Sequence, residues 1–295
     1  MRIGFHVSIA GGMQQALQAA RKRRCQTVQV FSAAPSTWKR RKCCPEEDAA
    51  FLTGCRQADI HPVFIHAPYL LNLASADRNL WRKSIAVLAQ ELEVANRWQA
   101  RGVVLHLGSA GDQSLSKALK RVIQAIKEAR ERTEGPALVI LENCAGQGTA
   151  LGRTMTEIGE IIAELGPERL GVCLDTAHAF AAGYAINTPD GLDKMLKEAN
   201  SAFGLELVKL IHLNDSRAAL GSGVDRHEHI GKGHIGREGF RVILSEPRLR
   251  DLPFIMETPK TLGNDLADDL SNLRRVRRLI PRQFRPPLLS VLRKP

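Results

Sequence analysis

The sequence predicts an α/β fold, a (β/α)8 TIM barrel over residues 1–280 with a short basic tail at 281–295. Three observations carry that expectation. The chain has 295 residues, long for one ordinary domain and short for two, so a single large domain is the natural reading. Short apolar, β-branched runs alternate with longer stretches of helical period, as repeated βα units on a parallel sheet require. The residues that end those runs are mostly histidines and carboxylates, at the end of each strand where such a barrel keeps its chemistry.

The expected strands are residues 3–8, 27–32, 63–69, 103–107, 137–143, 170–175, 207–214 and 253–258. Amphipathic stretches at 12–24, 46–58, 78–99, 114–132, 156–165, 191–203 and 237–244 fill the intervals, and 265–280 supplies a closing helix. Eight strands, each followed by a helix, suit a closed barrel, whereas an open doubly wound sheet usually needs fewer. Beyond them Pro281, Pro286, Pro287 and Pro295, with four basic residues, mark an irregular arm.

Hydrophobic residues make up 44% and charged residues 25%, which excludes disordered and fibrous classes. The 42 Lys plus Arg against 31 Asp plus Glu leave a formal charge of +11, favouring a polyanionic partner such as nucleic acid or an anionic surface. No apolar stretch reaches the roughly 18 residues of a membrane span, and residues 1–8 read as a strand, not a secretory signal, so a cytoplasmic location is expected. Cys25, Cys43, Cys44, Cys55, Cys144 and Cys173 are scattered without a CxxC pair and read as free thiols rather than a thiolate zinc site.

The chemistry gathers at the strand ends. The third strand ends in His66-Ala67-Pro68-Tyr69, the fourth carries His106 at its end, the fifth Glu142, and the sixth Asp175 with His178 behind it. The seventh ends in His212, its loop carries Asp225-Arg226-His227, and the eighth ends in Glu257. So many buried polar groups at one barrel mouth would be costly unless cations compensated them. Imidazole plus carboxylate without thiolate suits zinc, with manganese or iron possible at some positions. A carboxylate can bridge two cations, and two ions about 3.5–4 Å apart can clamp an in-line phosphoryl displacement with no side-chain nucleophile. Consistent with this, the chain has no G-x-S-x-G elbow, P-loop or dinucleotide fingerprint. The glycine-rich pieces at 145–148 and 231–236 can bring backbone N–H groups close to phosphate.

Several motifs resemble the endonuclease IV type of abasic-site endonuclease. They are Gly4-Phe5-His6-Val7-Ser8 with Ala10-Gly11-Gly12, His66-Ala67-Pro68-Tyr69, Leu105-His106-Leu107-Gly108-Ser109, Leu141-Glu142-Asn143-Cys144, Asp175-Thr176-Ala177-His178, His212-Leu213-Asn214-Asp215-Ser216, and Val224-Asp225-Arg226-His227. The resemblance runs over residues 2–280 in the family's order. It implies three divalent ions, usually zinc: one held by His66, His106 and Glu142, a second by Glu142, Asp175, His212 and Glu257, and a third by His178, Asp225 and His227. Glu142 would bridge the first two and, with Glu257, serve catalysis by positioning the attacking hydroxide. The implied substrate is double-stranded DNA with abasic sites or blocked 3′ ends, cut 5′ to the lesion by a monomer.

One segment departs from the family. After the second strand the chain reads Ser32-Ala33-Ala34-Pro35-Ser36-Thr37-Trp38, lacking the Arg and Asn expected in its middle. Trp38 and Tyr69 are retained as wedge and stacking residues, and the basic run Lys39-Arg40-Arg41-Lys42 is expected to contact phosphates, as is Arg226. The competing reading is a sugar isomerase or epimerase, for which Glu142, Asp175, His212 and Glu257 alone would suffice. The remaining ligands and the charge of +11 argue against it, and a barrel that merely binds DNA has no use for intact ligands at every strand end.

Overall fold

A computed structural model describes residues 1–41 and 44–284; Lys42 and Cys43, and residues 285–295 of the expected tail, lie outside the described residues. The chain alternates from the start: β1 (Arg2–Val7), α1 (Met13–Lys22), β2 (Thr27–Phe31), α2 (Pro45–Gln57), β3 (Val63–His66), α3 (Arg78–Arg97), β4 (Gly102–Leu105), α4 (Leu115–Glu131), β5 (Leu138–Glu142), α5 (Met155–Leu165) and β6 (Leu170–Asp175). Then come α6 (Thr176–Ala182), α7 (Pro189–Phe203), β7 (Val208–His212), a short pair β8 (Asp215–Ser216) and β9 (His227–Glu228), α8 (Gly236–Ser245), β10 (Pro253–Met256) and α9 (Asp265–Leu279). A 3-10 turn, Arg282–Phe284, follows, and the Phe284 ring packs under Arg250.

The eight long strands close a parallel barrel in the order β1-β10-β7-β6-β5-β4-β3-β2, so the expected barrel is the observed one. Its interior is filled by Phe64, Val104, Ile140, Cys173, Leu210 and Ile255, all buried. The other faces of the strands pack against the helices. α4 shows why that sequence becomes a helix: Ala118, Leu119, Val122, Ala125, Ile126 and Ala129 recur at three- and four-residue spacing and form the buried stripe. Helix starts are fixed locally, with Asp77 accepting from the N–H groups of Asn79 and Leu80, and Thr154 accepting from Glu157.

Four strands end two or three residues sooner than expected, β3 at His66, β4 at Leu105, β7 at His212 and β10 at Met256; after β3 Pro68 has no N–H for a ladder, and after β7 the chain turns into the β8–β9 hairpin. That antiparallel hairpin and α6 are the elements that the sequence did not reveal. Both matter to the mouth. The hairpin returns His227 to the strand ends, and α6 starts directly after β6, with the Asp175 side chain accepting from the His178 N–H as its N-cap.

Candidate metal centre

The barrel register sets the strand ends level: His66 sits opposite Val104, Glu142 opposite Cys173, and Asp175 opposite His212. Among the described residues, four groups of side chains able to hold a metal meet there, His66–His106–Glu142, Glu142–Asp175–His212–Glu257, Asp175–His178–His227 and Glu142–Cys173–His212, with the ligand atoms of each group within 4.8 Å of one another. All nine residues expected as ligands are therefore brought to one place, Asp225 joining through Oδ1 at 3.3 Å from His178 Nε2 and 3.5 Å from His227 Nε2.

The spacing fits small divalent ions. Ligand bonds of about 2.0–2.1 Å in tetrahedral geometry place ligand atoms about 3.3 Å apart. In the first group Glu142 Oε2 lies 3.3 Å from His66 Nε2 and 3.1 Å from His106 Nε2. In the second, His212 Nδ1 lies 2.8 Å from Glu142 Oε1, 3.4 Å from Glu257 Oε2 and 3.9 Å from Asp175 Oδ2. Glu142 thus turns one oxygen to each group. Asp175 Oδ2 also lies 3.7 Å from His227 Nε2, which ties the second group to the third.

The proton positions fit as well. His66 Nδ1–H donates to the Ala67 carbonyl at 2.6 Å, His178 Nδ1–H to that of Asn143 at 2.9 Å, and His227 Nδ1–H to that of Glu257 at 3.2 Å. His212 is reversed: its Nε2–H donates to the Gln29 side-chain oxygen at 2.9 Å. A carbonyl can only accept, so in the neutral form of each ring the nitrogen facing the cluster is the one that carries the lone pair a metal needs. Four rings obeying this rule, one with the opposite tautomer, make an ordinary buried histidine network a poor description.

The carboxylates are held in turn. Asn214 donates from Nδ2 to Asp175 Oδ2 at 2.7 Å and accepts the Glu257 N–H at 2.8 Å, while Asn143 pairs with both the N–H and the carbonyl of Asp175. Thr176 Oγ1 donates to the Asn214 carbonyl at 2.6 Å. Sequence reasoning missed Asn214, Asn143 and Thr176 as functional residues, although they lie inside the motifs it quoted. It also missed Gln29, whose signal was a polar side chain between Val28 and Val30 in a strand buried on both faces.

Electrostatics follow from this crowding. Burial opposes charge on Glu142, yet His212 and His106 hold its carboxyl well below the usual carboxylate range. Burial likewise opposes a proton on His178, but Asp175, Asp225 and Glu142 lift its pKa to about 10 in the metal-free chain. Cys173 borders the cluster, and burial pushes its thiol up to about 12, so it stays protonated and packs with the barrel interior.

Beside the cluster lies a cavity of about 880 Å³, bounded among others by His6, Phe31, Ala33, Tyr69, Glu257 and Lys260. Tyr69 is 62% exposed, with its ring 5.5 Å from that of His66. Trp38 packs partly buried under Lys83, whose ammonium lies 4.3 Å over its ring. Lys39, Arg40 and Arg41 all line the cavity, and Arg40 also pairs with Glu91 and Arg41 with Glu47 and Asp48. Arg226 donates to the carbonyl of Asp225 at 2.7 Å.

Residues 13–276 match the family model described as xylose isomerase-like TIM barrel. A protein named probable endonuclease 4 from Halothermothrix orenii is 40% identical, the alignment covering 93% of this chain and 99% of that one; its namesake from Chloroflexus aurantiacus is 42% identical over 95% and 98%. The crystal structure of endonuclease IV from Thermus thermophilus superposes with a TM-score of 0.82 at 37% identity, covering 95% of this chain and 98% of that one. A D-tagatose 3-epimerase-like protein, at a TM-score of 0.69 and 17% identity, shares the fold. Full-length identity of this order places the chain in the endonuclease IV family of nucleases.

Proposed function

We propose that this protein is a DNA-repair endonuclease that hydrolyses the phosphodiester 5′ to abasic sites in double-stranded DNA, leaving a 3′-hydroxyl and a 5′-deoxyribose phosphate, and that it also clears blocked 3′ ends. It works as a monomer with three divalent ions, zinc by the donor set of imidazoles and carboxylates. The observation that carries the reading is the sharing of Glu142: its two oxygens serve two ligand groups, in which His66 and His212 each spend the outer nitrogen on an oxygen acceptor and turn the other nitrogen inward. When bound, such ions activate water and neutralise charge on a phosphate undergoing in-line displacement.

The side chains divide the remaining work. Glu142 fixes the spacing of the first two groups, and Glu257 completes the second from the far strand. His178, Asp225 and His227 form a third group at the rim, where a phosphate oxygen would enter. Tyr69 offers an exposed ring beside His66 and His106 against which a sugar or base can stack. Lys39 faces the same cavity and supplies a phosphate contact. A sugar epimerase would leave His66, His106, His178, Asp225 and His227 without a task.

The test is a duplex carrying one tetrahydrofuran abasic analogue. Incision 5′ to the analogue, lost on prolonged chelation and restored by zinc, is the expected outcome. Binding without incision by metal-replete protein overturns the proposal.

A further inference from the structure

We infer that Gln29 is a positioning residue for the second ligand group: its side-chain amide fixes the tautomer of His212 and the orientation of Glu257, two ligands that arrive on different strands. The inference rests on the reading of that group as a metal site. β2 supplies no ligand, yet Gln29 at its centre is fully buried, and a buried primary amide is costly unless both ends are satisfied. Here both are. Nε2 lies 2.7 Å from Glu257 Oε1 and Oε1 lies 2.9 Å from His212 Nε2, with His6 Nδ1 at 3.0 Å from both Nε2 and the same Glu257 oxygen.

The direction of the amide follows from its partners. An ionised carboxylate only accepts, so the amide nitrogen must face Glu257, and the amide oxygen is left for His212. That oxygen requires a proton on His212 Nε2 and so leaves the lone pair on Nδ1, which points at Glu142 Oε1, Glu257 Oε2 and Asp175 Oδ2. His212 is the one imidazole of the four whose inward atom is Nδ1, and it is the one held by a side chain in place of a backbone carbonyl. At the other end, the donor to Glu257 Oε1 leaves Oε2 as the oxygen facing the cluster. A polar side chain that only filled space in the strand would not need to join two ligands of one group.

Gln29→Met keeps the length and removes both hydrogen bonds; Gln29→Glu keeps an acceptor for His212 and loses the donor to Glu257. Each variant is purified with its metal and titrated with a chelator, and the metal-free forms are reloaded with cobalt to record the visible absorption of the ligand field. For Gln29→Met, one ion per chain should leave at roughly 10–100-fold weaker chelation while the others stay, with a changed cobalt spectrum. Gln29→Glu should also hold that ion more weakly but keep a spectrum close to that of the parent, because the His212 tautomer survives. Parent-like affinity and spectrum in Gln29→Met overturn the inference; should that variant not fold, parent-like affinity in Gln29→Glu does so. A parent protein that retains no metal would instead overturn the proposed metal site.

Discussion

The guanidinium of Arg40 lies on the carboxylate of Glu91, a fully buried residue of α3, and donates also to the carbonyls of Ala34 and Thr37. The loop in which this chain departs from its family is therefore tied down from beneath. Burial pushes the Glu91 carboxyl above its usual range despite Arg40 and Ser32 beside it, so the group depends on its partner. Arg40→Ala should destabilise the fold by about 3–5 kcal/mol, since it strands a buried carboxylate, and denaturant unfolding would measure that loss. Lys39→Ala should leave stability unchanged and lower the slope of log DNA affinity against log salt by about 1. Equal salt slopes in the two proteins would remove Lys39 from the DNA contacts.

Glu142 faces two ligand groups at once. Glu142→Ala should reduce incision of an abasic duplex to background and lower the metal content by about two ions per chain, while DNA affinity measured by fluorescence anisotropy persists. Turnover in a variant with full metal content would refute the bridging role.

Metal uptake should be a proton-exchange reaction. In the metal-free protein His178 keeps its proton up to a pKa of about 10, against an ordinary value of 6.5, and a metal needs that imidazole neutral. Zinc added to metal-free protein near neutral pH should therefore release protons, visible with a pH indicator in weak buffer, and zinc affinity should rise with pH. The sign for stability is opposite. A raised histidine pKa stabilises the metal-free fold fully below about 6.5 and is lost as pH climbs towards 10, so the melting temperature of that form should fall across this window.

Asn214 joins Asp175 to the Glu257 backbone. Asn214→Ala leaves an acceptor and a donor buried without partners, and should cost about 1–3 kcal/mol in unfolding free energy with metal present or absent. Ion affinity should drop by roughly 10–100-fold in the same variant, read by chelator titration.

Much of this was legible from residue order. Strand ends can be read from apolar runs bounded by polar residues, and in a barrel every strand end points to the same face, so His66, His106, Glu142, Asp175, His212 and Glu257 had to converge. Asp225 and His227 were harder to place because their position depends on the β8–β9 hairpin, two residues per strand, too short to leave a periodic trace. Residue order was blind to which basic residues would find carboxylates. Arg40 and Arg41 read as a charged run, but Glu91 lies about 50 residues further along the chain and meets Arg40 only once α3 packs beside the loop. Gln29 was hidden for the same reason, since its partners sit on β7 and β10.

The closing strand has a consequence for biosynthesis. β10 pairs with β1 on one side and β7 on the other, and Glu257 follows it directly. A nascent chain stopped short of Pro253 would already hold eight of the nine cluster residues, yet it would have an open wall between β1 and β7 and no Glu257. Sealing the cylinder and bringing in the last residue of the cluster are thus one event, late in translation.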